Sequence, residues 1–371
     1  MKKNIYILGT RGLPANHGGF ETFAEKLSLF LVKKRWNVFV YCQTTIKKKQ
    51  KYTKWKNINL VNIYTKKDTP LNTIIFDLKS IIHSSSKKGL FLILGYNTAI
   101  FNLIFKIKKR ITLINMDGIE WKRDKWSLLV KAWFYINEYL AVKFNDFYIA
   151  DNPHIKKYLS SKYKIQNITM IPYGSEAKYK KNERILKKLN LKKKKYSILI
   201  ARPEPENSIY LIIKTFTKVK RNHKLLILGR YDFKNNPYHK KIFQYANEEI
   251  IFGGAIYNKN TVDTLRDNSL SYIHGHKVGG TNPALVEAIS KNCYIIAYNN
   301  PYNRWVLNNN GSYFNDEKSL QNCFEEVFNK GKKINKMQKL INKRFVKYFN
   351  WEKILKKYEN LLNKKYKLLK N

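Results

Sequence analysis

The sequence predicts an α/β protein made of two doubly wound domains, each with a parallel sheet. Short, continuously apolar runs alternate along the chain with longer segments whose apolar residues recur at helical spacing. Strands that are apolar throughout are typical of parallel sheets covered by helices on both faces. The alternation covers residues 4–172, stops in a polar, lysine-rich stretch, and then begins again. Two tandem domains are the simplest explanation of that break.

Seven strands are predicted in the first domain and five in the second. They cover residues 4–9, 38–42, 60–64, 90–95, 112–116, 147–151 and 169–172, then 197–201, 225–229, 250–253, 271–274 and 294–298. The predicted helices cover 20–33, 72–83, 98–106, 125–144, 153–159, 206–219, 258–268, 283–290 and 320–328. We expect domains at 1–175 and 196–349, a linker region at 176–195, and a C-terminal helix within 350–371 that packs back on the domains. Because ligands of open α/β sheets bind beyond the carboxyl ends of the strands, the two sets of loops are expected to face each other across a cleft.

The composition is that of a folded but very basic protein. The 371 residues are 44% apolar, and 72 Lys and Arg against 26 Asp and Glu give a net charge of +46. One interpretation is a solvated, lysine-biased surface. The other is an anionic partner, and an anionic membrane surface fits as well as nucleic acid, since each surface cation is worth about 1 kcal/mol there. No nucleic-acid-binding signature accompanies the charge, so a basic nucleic-acid-binding protein is only a remote alternative.

Cysteine spacing and apolar stretches indicate a cytoplasmic protein. Cys42, Cys293 and Cys323 are isolated, which predicts reduced thiols rather than disulfides or a zinc site. The apolar block at 5–8 is too short for a signal sequence. The best candidate for a membrane span, 89–105, is interrupted by a glycine and two asparagines, so we interpret it as a buried strand and a helix.

The first chemical motif is a glycine-rich turn between the first strand and the first helix. Gly9 and Gly12 lie in this turn, and Gly18 and Gly19 stand at the helix entrance. A helix start presents unpaired N–H groups to an anion, and adjacent glycines let a ligand approach the backbone. The spacing is neither that of a dinucleotide-binding loop nor that of a P-loop, which disfavours an NAD-dependent oxidoreductase. We expect a diphosphate site here, with an ordinary βα turn as the alternative.

The second motif places Arg202 directly after a strand of the second domain. A guanidinium at the carboxyl end of a strand can bind a phosphate with two hydrogen bonds. The alternative is a surface arginine that forms an ion pair with Glu204 or Glu206.

The third motif, 272–288, again has the order strand, glycine loop and helix. Asn282 is expected to be the N-cap and Pro283 the first helical residue. The backbone amides predicted to form a second anion site belong to Gly279, Gly280, Thr281 and Asn282. Glu287, one turn inside the helix, is placed to accept hydrogen bonds from ribose hydroxyls. His274 and His276 lack the carboxylate or thiolate companions of a metal site, so no metal is expected.

The fourth motif follows the strand at 112–116. Asp117 at its carboxyl end is expected to point into the cleft, and Trp121 either stacks on a sugar or packs against a helix. Possible contacts to an acceptor come from Arg11, Glu120, Trp121, Lys122 and Arg123.

These motifs together resemble those of one enzyme family. They read GTRGLP at 9–14, GGFET at 18–22, DGIEWKR at 117–123, Arg202 with EPEN at 204–207, HGH at 274–276, and GGTNP at 279–283 followed by Glu287. In this order they are similar to the rhamnosyltransferase-type members of the retaining family 4 glycosyltransferases. A final helix beginning NWEKI at 350–354 extends the resemblance over essentially the whole chain.

The resemblance implies a GT-B fold, with two Rossmann-like domains and the active site between them. It also implies a nucleotide-sugar donor, held mainly by the second domain, and no required metal or other cofactor. The backbone at Gly18 and Gly19 would contact the donor diphosphate, Arg202 would neutralise the leaving diphosphate, and Glu287 would hold the ribose. Asp117 occupies the place where many relatives have a histidine that touches the donor sugar.

This chain departs from the family pattern at two positions. The usual lysine five residues after the arginine is Asn207 here, so one positive charge at the donor site is missing. The first glutamate of the family's E-x7-E pair would fall at Gly279, which puts a side-chain contact to a sugar hydroxyl in doubt.

The expected reaction is transfer, with retention, of L-rhamnose from dTDP-L-rhamnose to a lipid-linked saccharide in the synthesis of a bacterial surface polysaccharide. The nearest alternative is a UDP-linked donor. The departing phosphate oxygen can act as the base, while Arg202 and loop amides stabilise the charge on the diphosphate. We expect the enzyme to be cytoplasmic and peripheral on the inner face of the cell membrane.

Overall fold

A computed structural model describes residues 3–16, 18–47, 51–291, 293–329 and 331–369. The chain forms two compact units. The first consists of Met1–Lys122, Ser127–Tyr173 and Trp351–Asn371, and the second of Arg123–Trp126 and Gly174–Asn350. The expected linker region at 176–195 therefore lies within the second unit, where it contains a short helix. The segment Arg123–Trp126, which begins with the last residue of the DGIEWKR motif, also belongs to that unit.

The first unit alternates strands and helices. Its elements are β1 (Asn4–Leu8), α1 (Gly19–Lys33), β2 (Asn37–Thr44), β3 (Tyr52–Trp55), β4 (Ile58–Tyr64), α2 (Pro70–Ser85), β5 (Leu90–Leu94), a 3-10 turn (Ala99–Asn102) leading into α3 (Leu103–Ile107), β6 (Thr112–Asn115), α4 (Leu128–Phe144), β7 (Phe147–Ala150), α5 (Pro153–Tyr163) and β8 (Ile168–Met170).

The sheet of the first unit has the order β3-β4-β2-β1-β5-β6-β7-β8. Every neighbouring pair is parallel except β3 and β4. From β1 the chain winds first toward β4 and then, from β5 onward, to the other side. The switch point therefore lies between β1 and β5, where ligands of such sheets bind.

The second unit repeats the pattern with six strands. Its elements are α6 (Arg184–Lys188), β9 (Tyr196–Ile200), a 3-10 turn (Pro205–Asn207), α7 (Ile209–Thr217), β10 (Lys224–Leu228), α8 (Pro237–Gln244), β11 (Ile250–Gly254), α9 (Lys259–Asn268), β12 (Ser271–His274), α10 (Pro283–Ile289), β13 (Tyr294–Tyr298), α11 (Pro301–Leu307), β14 (Ser312–Phe314), α12 (Glu317–Asn329) and α13 (Gly331–Tyr348).

The strands of the second unit are all parallel, in the order β11-β10-β9-β12-β13-β14. This is the order of a Rossmann sheet, and its switch point lies between β9 and β12. The loops that follow these two strands carry the second and third sequence motifs.

The C-terminal helix, α14 (Trp351–Tyr366), belongs to the first unit. Its apolar side chains, among them Trp351, Ile354 and Tyr358, are buried in the same core as Phe23 and Leu27 of α1. The spacing that predicts this helix is therefore the spacing of its buried face.

All twelve predicted strands are confirmed to within about two residues. Strands β3 and β14 were not predicted, because β3 is a partly exposed edge strand and β14 has only three residues. Helices α6, α8, α11 and α13 were also missed, since they are short or rich in lysine. Residues 89–105 form β5 and short helical segments, and none of the described helices is long and apolar enough to span a membrane.

Candidate functional site

The loop after β1 needs its glycines because it runs against a neighbouring strand end. Gly9 has a left-handed φ of +78°, and a Cβ there would lie 2.2 Å from the carbonyl oxygen of Leu94. Gly12 has φ +121°, and its Cβ would lie 2.7 Å from Cβ of Cys42. The loop therefore lies tightly against β5 and β2, which no larger residue would allow.

Two glutamates of α1 accept hydrogen bonds from this loop. Glu21 Oε1 accepts hydrogen bonds from the backbone N–H of Arg11 (3.0 Å) and from the hydroxyl of Thr10 (3.3 Å). Glu25 Oε2 accepts one from the backbone N–H of Ala15 (2.8 Å). The carboxylates therefore fix the shape of the loop.

No side chain caps the backbone at the start of α1, where Gly18 and Gly19 stand. Gly18 is the N-cap of α1 in an extended conformation and contributes no side-chain cap. The amide groups of a first helical turn have no acceptor within the helix. This geometry suits the predicted contact between the Gly19 N–H and a diphosphate.

Asp117 follows β6, which is parallel to β5 and β1. Its loop therefore lies at the same edge of the first sheet as the loop after β1. Asp117 adopts a left-handed φ of +52°, and its N–H donates to Asn115 Oδ1 (3.0 Å). The hydroxyl of Tyr96 donates to the carbonyl of Gly118 (3.1 Å) and accepts from the N–H of Glu120 (2.8 Å). The backbone around Asp117 is thus fixed on both sides by buried polar groups.

Trp121 packs in a polar aromatic cluster of the first unit. Its Nε1 donates to Glu138 (3.1 Å), and its ring meets Tyr135 edge to face at 5.4 Å. Glu138 is 1% exposed and pairs with Lys162 (2.8 Å). Trp121 therefore packs against α4, and sequence analysis missed the buried Glu138 that organises this contact.

The other residues expected to contact an acceptor have varied surroundings. Arg11 forms an exposed ion pair with Asp68 (3.1 Å). Lys122 is exposed and lies over the ring of Trp121 at 5.4 Å. Glu120 is buried, and Arg123 belongs to the second unit.

In the second unit, the loops after β9 and β12 are joined by backbone contacts. The N–H of Lys277 donates to the carbonyl of Glu206 (3.0 Å), and the hydroxyl of Ser208 donates to the carbonyl of Gly275 (2.8 Å). A Cβ at Gly275 would lie 2.0 Å from the carbonyl oxygen of Asn207, so only glycine fits. The structure thus brings the second and third motifs together at the switch point.

Asn207 joins the same two loops through its side chain. Its Nδ2 donates to the carbonyl of Arg202 (2.9 Å), and its Oδ1 lies 2.8 Å from Nδ1 of His276. The side chain therefore shapes the loop on which Arg202 stands, a function that the sequence did not reveal.

Arg202 is exposed and forms no ion pair with Glu204 or Glu206, the acidic residues of its own motif, in the described structure. Glu206, 2% exposed, pairs with Arg123 (3.2 Å), and the described residues offer Arg202 no ion-pair partner. Burial lowers the pKa of His276 well below its usual value, and nearby His274, Arg123, Arg202 and Lys125 lower this pKa further. A neutral His276 therefore lies among three cations.

The loop from Gly279 to Asn282 adjoins this group of cations. Gly279 has φ +113°, and a Cβ there would lie 3.4 Å from Nε2 of His276. Asn282 Oδ1 accepts from the N–H of Ala284 (2.9 Å), which confirms the predicted N-cap. Thr281 is buried, and Gly280 continues the loop into the cap.

Glu287, the expected ribose ligand, is held by a buried ion-pair network. Its Oε2 lies 2.7 Å from Nη1 of Arg266 on α9, and the same nitrogen lies 3.2 Å from Asp263. Asp263 also pairs with Lys291 (3.4 Å) and with Lys259. The Glu287 side chain remains 24% exposed, whereas those of Arg266 and Asp263 are almost fully buried. An Asp-x-x-Arg pair at helical spacing was the only signal for this network.

The histidines, cysteines and carboxylates that could serve as metal ligands do not gather into one group in the described part of the chain. Among residues 3–16, 18–47, 51–291, 293–329 and 331–369, no group of three or more His, Cys, Asp and Glu could hold a metal. Burial lowers the pKa of His274 to about 3, so this histidine is neutral. The cysteines at 42, 293 and 323 are buried and form no disulfide.

Comparison with known proteins agrees with the architecture. Residues 2–176 match the model of DUF1972, a domain of unknown function. No curated protein matches the chain. Sucrose-phosphate synthase from Thermosynechococcus elongatus has a TM-score of 0.81 at 15% identity, with 98% of this chain and 99% of that chain covered.

Two further solved structures have the same fold. A glycosyltransferase from Rickettsia africae has a TM-score of 0.73 at 16% identity and covers 98% of both chains. HepE from Anabaena, in complex with UDP, has a TM-score of 0.73 at 12% identity, with 98% of this chain and 100% of that chain covered. The predicted GT-B fold, with two units built on parallel sheets, is confirmed.

Proposed function

We propose that the chain is a glycosyltransferase that uses a nucleotide-sugar donor. The observation that carries this proposal lies at the switch point of the second unit. There an exposed arginine without a carboxylate partner among the described residues stands beside a glycine loop and two further cations. Such an arrangement suits a diphosphate, the leaving group of a nucleotide sugar. The structures with the same fold include a glycosyltransferase and a UDP complex, which supports the same assignment.

The chemistry follows from charge. Breaking the bond between the anomeric carbon and the phosphate oxygen places negative charge on the diphosphate and positive charge on the sugar. Arg202, with Arg123 and Lys125 nearby, stabilises the leaving group before and during this step. In a reaction with retention, the departing phosphate oxygen accepts the proton of the acceptor hydroxyl as that hydroxyl attacks the same face. Glu287, fixed by Arg266, holds the ribose, and Asp117 orients the sugar.

The donor of our proposal is dTDP-L-rhamnose, and the acceptor is a lipid-linked saccharide of a bacterial surface polysaccharide. The sequence motifs shared with rhamnosyltransferases support this sugar. A UDP-linked donor is the second candidate, because HepE binds UDP within the same fold. The high positive charge supports a cytoplasmic enzyme that is peripheral on the membrane.

Donor turnover by an Arg202→Ala variant tests the proposal. We expect kcat/KM to fall by about 10²-fold, because an anion contact of the transition state is lost. An Arg230→Ala variant, which removes a cation after β10 outside the two joined loops, is the matched control. Wild-type turnover by Arg202→Ala would remove this residue from the site.

A panel of nucleotide diphosphates and nucleotide sugars, measured by thermal shift, tests the choice of donor. A ligand that binds only the native state raises the melting temperature. We expect dTDP and dTDP-L-rhamnose to raise it more than UDP and UDP-glucose. The reverse order would favour the uridine-linked alternative, and no shift with any of them would contradict the proposed function.

A further inference from the structure

Three neighbouring helices of the first unit expose large apolar side chains. Helix α2 contacts the 3-10 turn Ala99–Asn102 and α3, and α4 contacts the same turn and α3. Within the described part of the chain, eleven of the twenty-two exposed large apolar side chains lie on these segments. We call the exposed apolar residues of α2, Ala99–Ile107 and α4 the docking face. A concentration of this kind on a protein surface marks an interaction site.

Helix α4 contributes the largest part of the docking face. Leu128 and Leu129 are each 84% exposed. Tyr135 and Ile136 follow about two turns further along and Tyr139 about three turns further along, each with about half of its surface exposed. The opposite side of the helix is buried in the first unit. A surface helix normally presents polar residues to water, so an apolar outer stripe needs a partner.

The adjacent helices extend this surface. Ile107 at the end of α3 is exposed, as is Leu103 one turn earlier. On α2, Leu71 and Ile82 are exposed at opposite ends of the helix, with Ile75 between them. Exposed apolar side chains therefore occur on all three neighbouring segments and not on α4 alone.

The exposed charged side chains of these helices and of the residues that follow α3 are all lysines. Exposed lysines are Lys79 on α2, Lys106, Lys108 and Lys109 at the end of α3, and Lys143 on α4. These helices, which the structure describes in full, carry no exposed carboxylate. Their two acidic residues are Glu138, which is buried, and Asp77, which accepts a hydrogen bond from Thr98 (2.9 Å).

We propose that the docking face is the surface by which this protein lies on an anionic lipid bilayer. The apolar side chains would enter the interfacial region, and the lysines would meet lipid phosphates. A second copy of the chain fits less well, because pairing two such faces would bring like charges together. The inference deepens the proposed function, since it rests on an acceptor that is linked to lipid.

Vesicle sedimentation tests whether the apolar side chains of the docking face contribute to lipid binding. The full-length protein is mixed with vesicles of phosphatidylcholine and phosphatidylglycerol, or of phosphatidylcholine alone. A Leu128→Ser, Leu129→Ser double variant is expected to bind the anionic vesicles at least about ten-fold more weakly, because both side chains lose their insertion energy. Tyr257→Ser, which removes a 78% exposed apolar side chain from the second unit, is the matched control and should bind like wild type.

A pair of charge variants tests the cationic part. Lys106→Ala with Lys109→Ala should weaken binding by about ten-fold at low salt and less at high salt. The control, Lys187→Ala with Lys188→Ala on α6, removes the same charge from the second unit and should have little effect. Equal losses in both pairs would show that total charge, and not the docking face, governs binding, and would overturn the proposal.

Two further measurements decide the remaining outcomes. Sedimentation velocity without lipid compares the oligomeric state of wild type with that of the leucine variant. A wild-type dimer that becomes a monomer in the variant would show that the docking face is a self-association surface, and would overturn the proposal. Because the native cysteines are buried, a nitroxide can be attached to Leu128→Cys or to Tyr257→Cys. On vesicles, only the label at 128 should become accessible to oxygen dissolved in the bilayer, and equal accessibility would contradict the assignment.

These tests do not depend on sugar transfer. Donor turnover with a water-soluble acceptor should be unchanged in the leucine variant, whereas it should fall in Arg202→Ala. Failure of the docking face and failure of the proposed enzyme activity would therefore give different results.

Discussion

The buried network around Glu287 gives a prediction whose magnitude follows from the structure. Arg266→Met removes the cation that contacts both Glu287 and Asp263. Asp263, with no side-chain exposure, keeps Lys291 and Lys259 as partners, so this carboxylate is not stranded. Glu287 loses its cation while three-quarters buried. Removing one member of such a buried set costs about 3 kcal/mol.

That loss has two measurable consequences. At about 2–4 °C per kcal/mol for a domain of this size, the melting temperature should fall by about 6–12 °C. Below that temperature, the affinity for free dTDP should fall by about ten-fold, or about 1.4 kcal/mol, because the Glu287 carboxylate is no longer held in one orientation. Calorimetric titration and a thermal scan measure the two effects, and Arg266→Lys should recover part of each.

Lys259→Ala is the matched control, because it removes another partner of the same Asp263. Its side chain is 41% exposed and has no ion pair with Glu287 in the described structure. We expect it to cost less than about 1 kcal/mol and to leave dTDP binding unchanged. If Arg266→Met melts earlier but binds dTDP as wild type does, the positioning of Glu287 by Arg266 is refuted.

Two other predictions concern pH and metal. Burial raises the pKa of Asp77 to about 7, so its native state is protonated where the unfolded chain is ionised, and stability falls as pH rises from about 4 to about 7. Asp77→Asn removes this titration and keeps an acceptor for Thr98. The difference in free energy of unfolding between this variant and wild type should therefore grow in favour of the variant by about 3 kcal/mol between pH 5 and pH 8. An equal difference at both pH values would contradict the raised pKa of Asp77. Incubation with EDTA should leave donor turnover unchanged, because Arg202 and the loop amides carry the charge of the diphosphate. Activity that is lost with EDTA and restored by Mg²⁺ or Mn²⁺ would show a metal requirement.

Local patterns in the sequence predict local structure well here, and long-range pairings poorly. The continuous apolar runs predict the strands, because a strand buried on both faces must be apolar throughout. The Asn282-Pro283 pair predicts a helix start by its own chemistry. By contrast, Glu287 and Arg266 lie on different helices, and their meeting depends on how α9 and α10 pack. The same holds for Trp121, whose local sequence is equally compatible with stacking on a sugar and with contacting Glu138.

The two positions at which this chain differs from the pattern that its motifs resemble, Asn207 and Gly279, meet at one side chain, His276. Because Nδ2 of Asn207 donates to the carbonyl of Arg202, its Oδ1 faces His276 and accepts a hydrogen bond there. The neutral imidazole therefore donates from Nδ1 and keeps a lone pair on Nε2, close to the position that a side chain at Gly279 would occupy. Replacing a lysine by Asn207 removes one positive charge, and replacing a glutamate by Gly279 removes one negative charge. Relative to the pattern that the sequence resembles, the net charge of these positions is thus unchanged, and Nε2 of His276 presents a hydrogen-bond acceptor beside Gly279.

We therefore expect that a lysine at position 207 and a glutamate at position 279, the residues of the resembled pattern, will not be tolerated together. Asn207→Lys would break two hydrogen bonds and add a fourth cation around the imidazole of His276. Gly279→Glu would place a side chain on a backbone with φ +113° and 3.4 Å from Nε2 of His276. Since the second change brings strain as well as charge, the double variant should turn over donor more slowly than wild type, and no faster than Asn207→Lys alone. Wild-type activity in the double variant would show instead that the two positions act only through their charges.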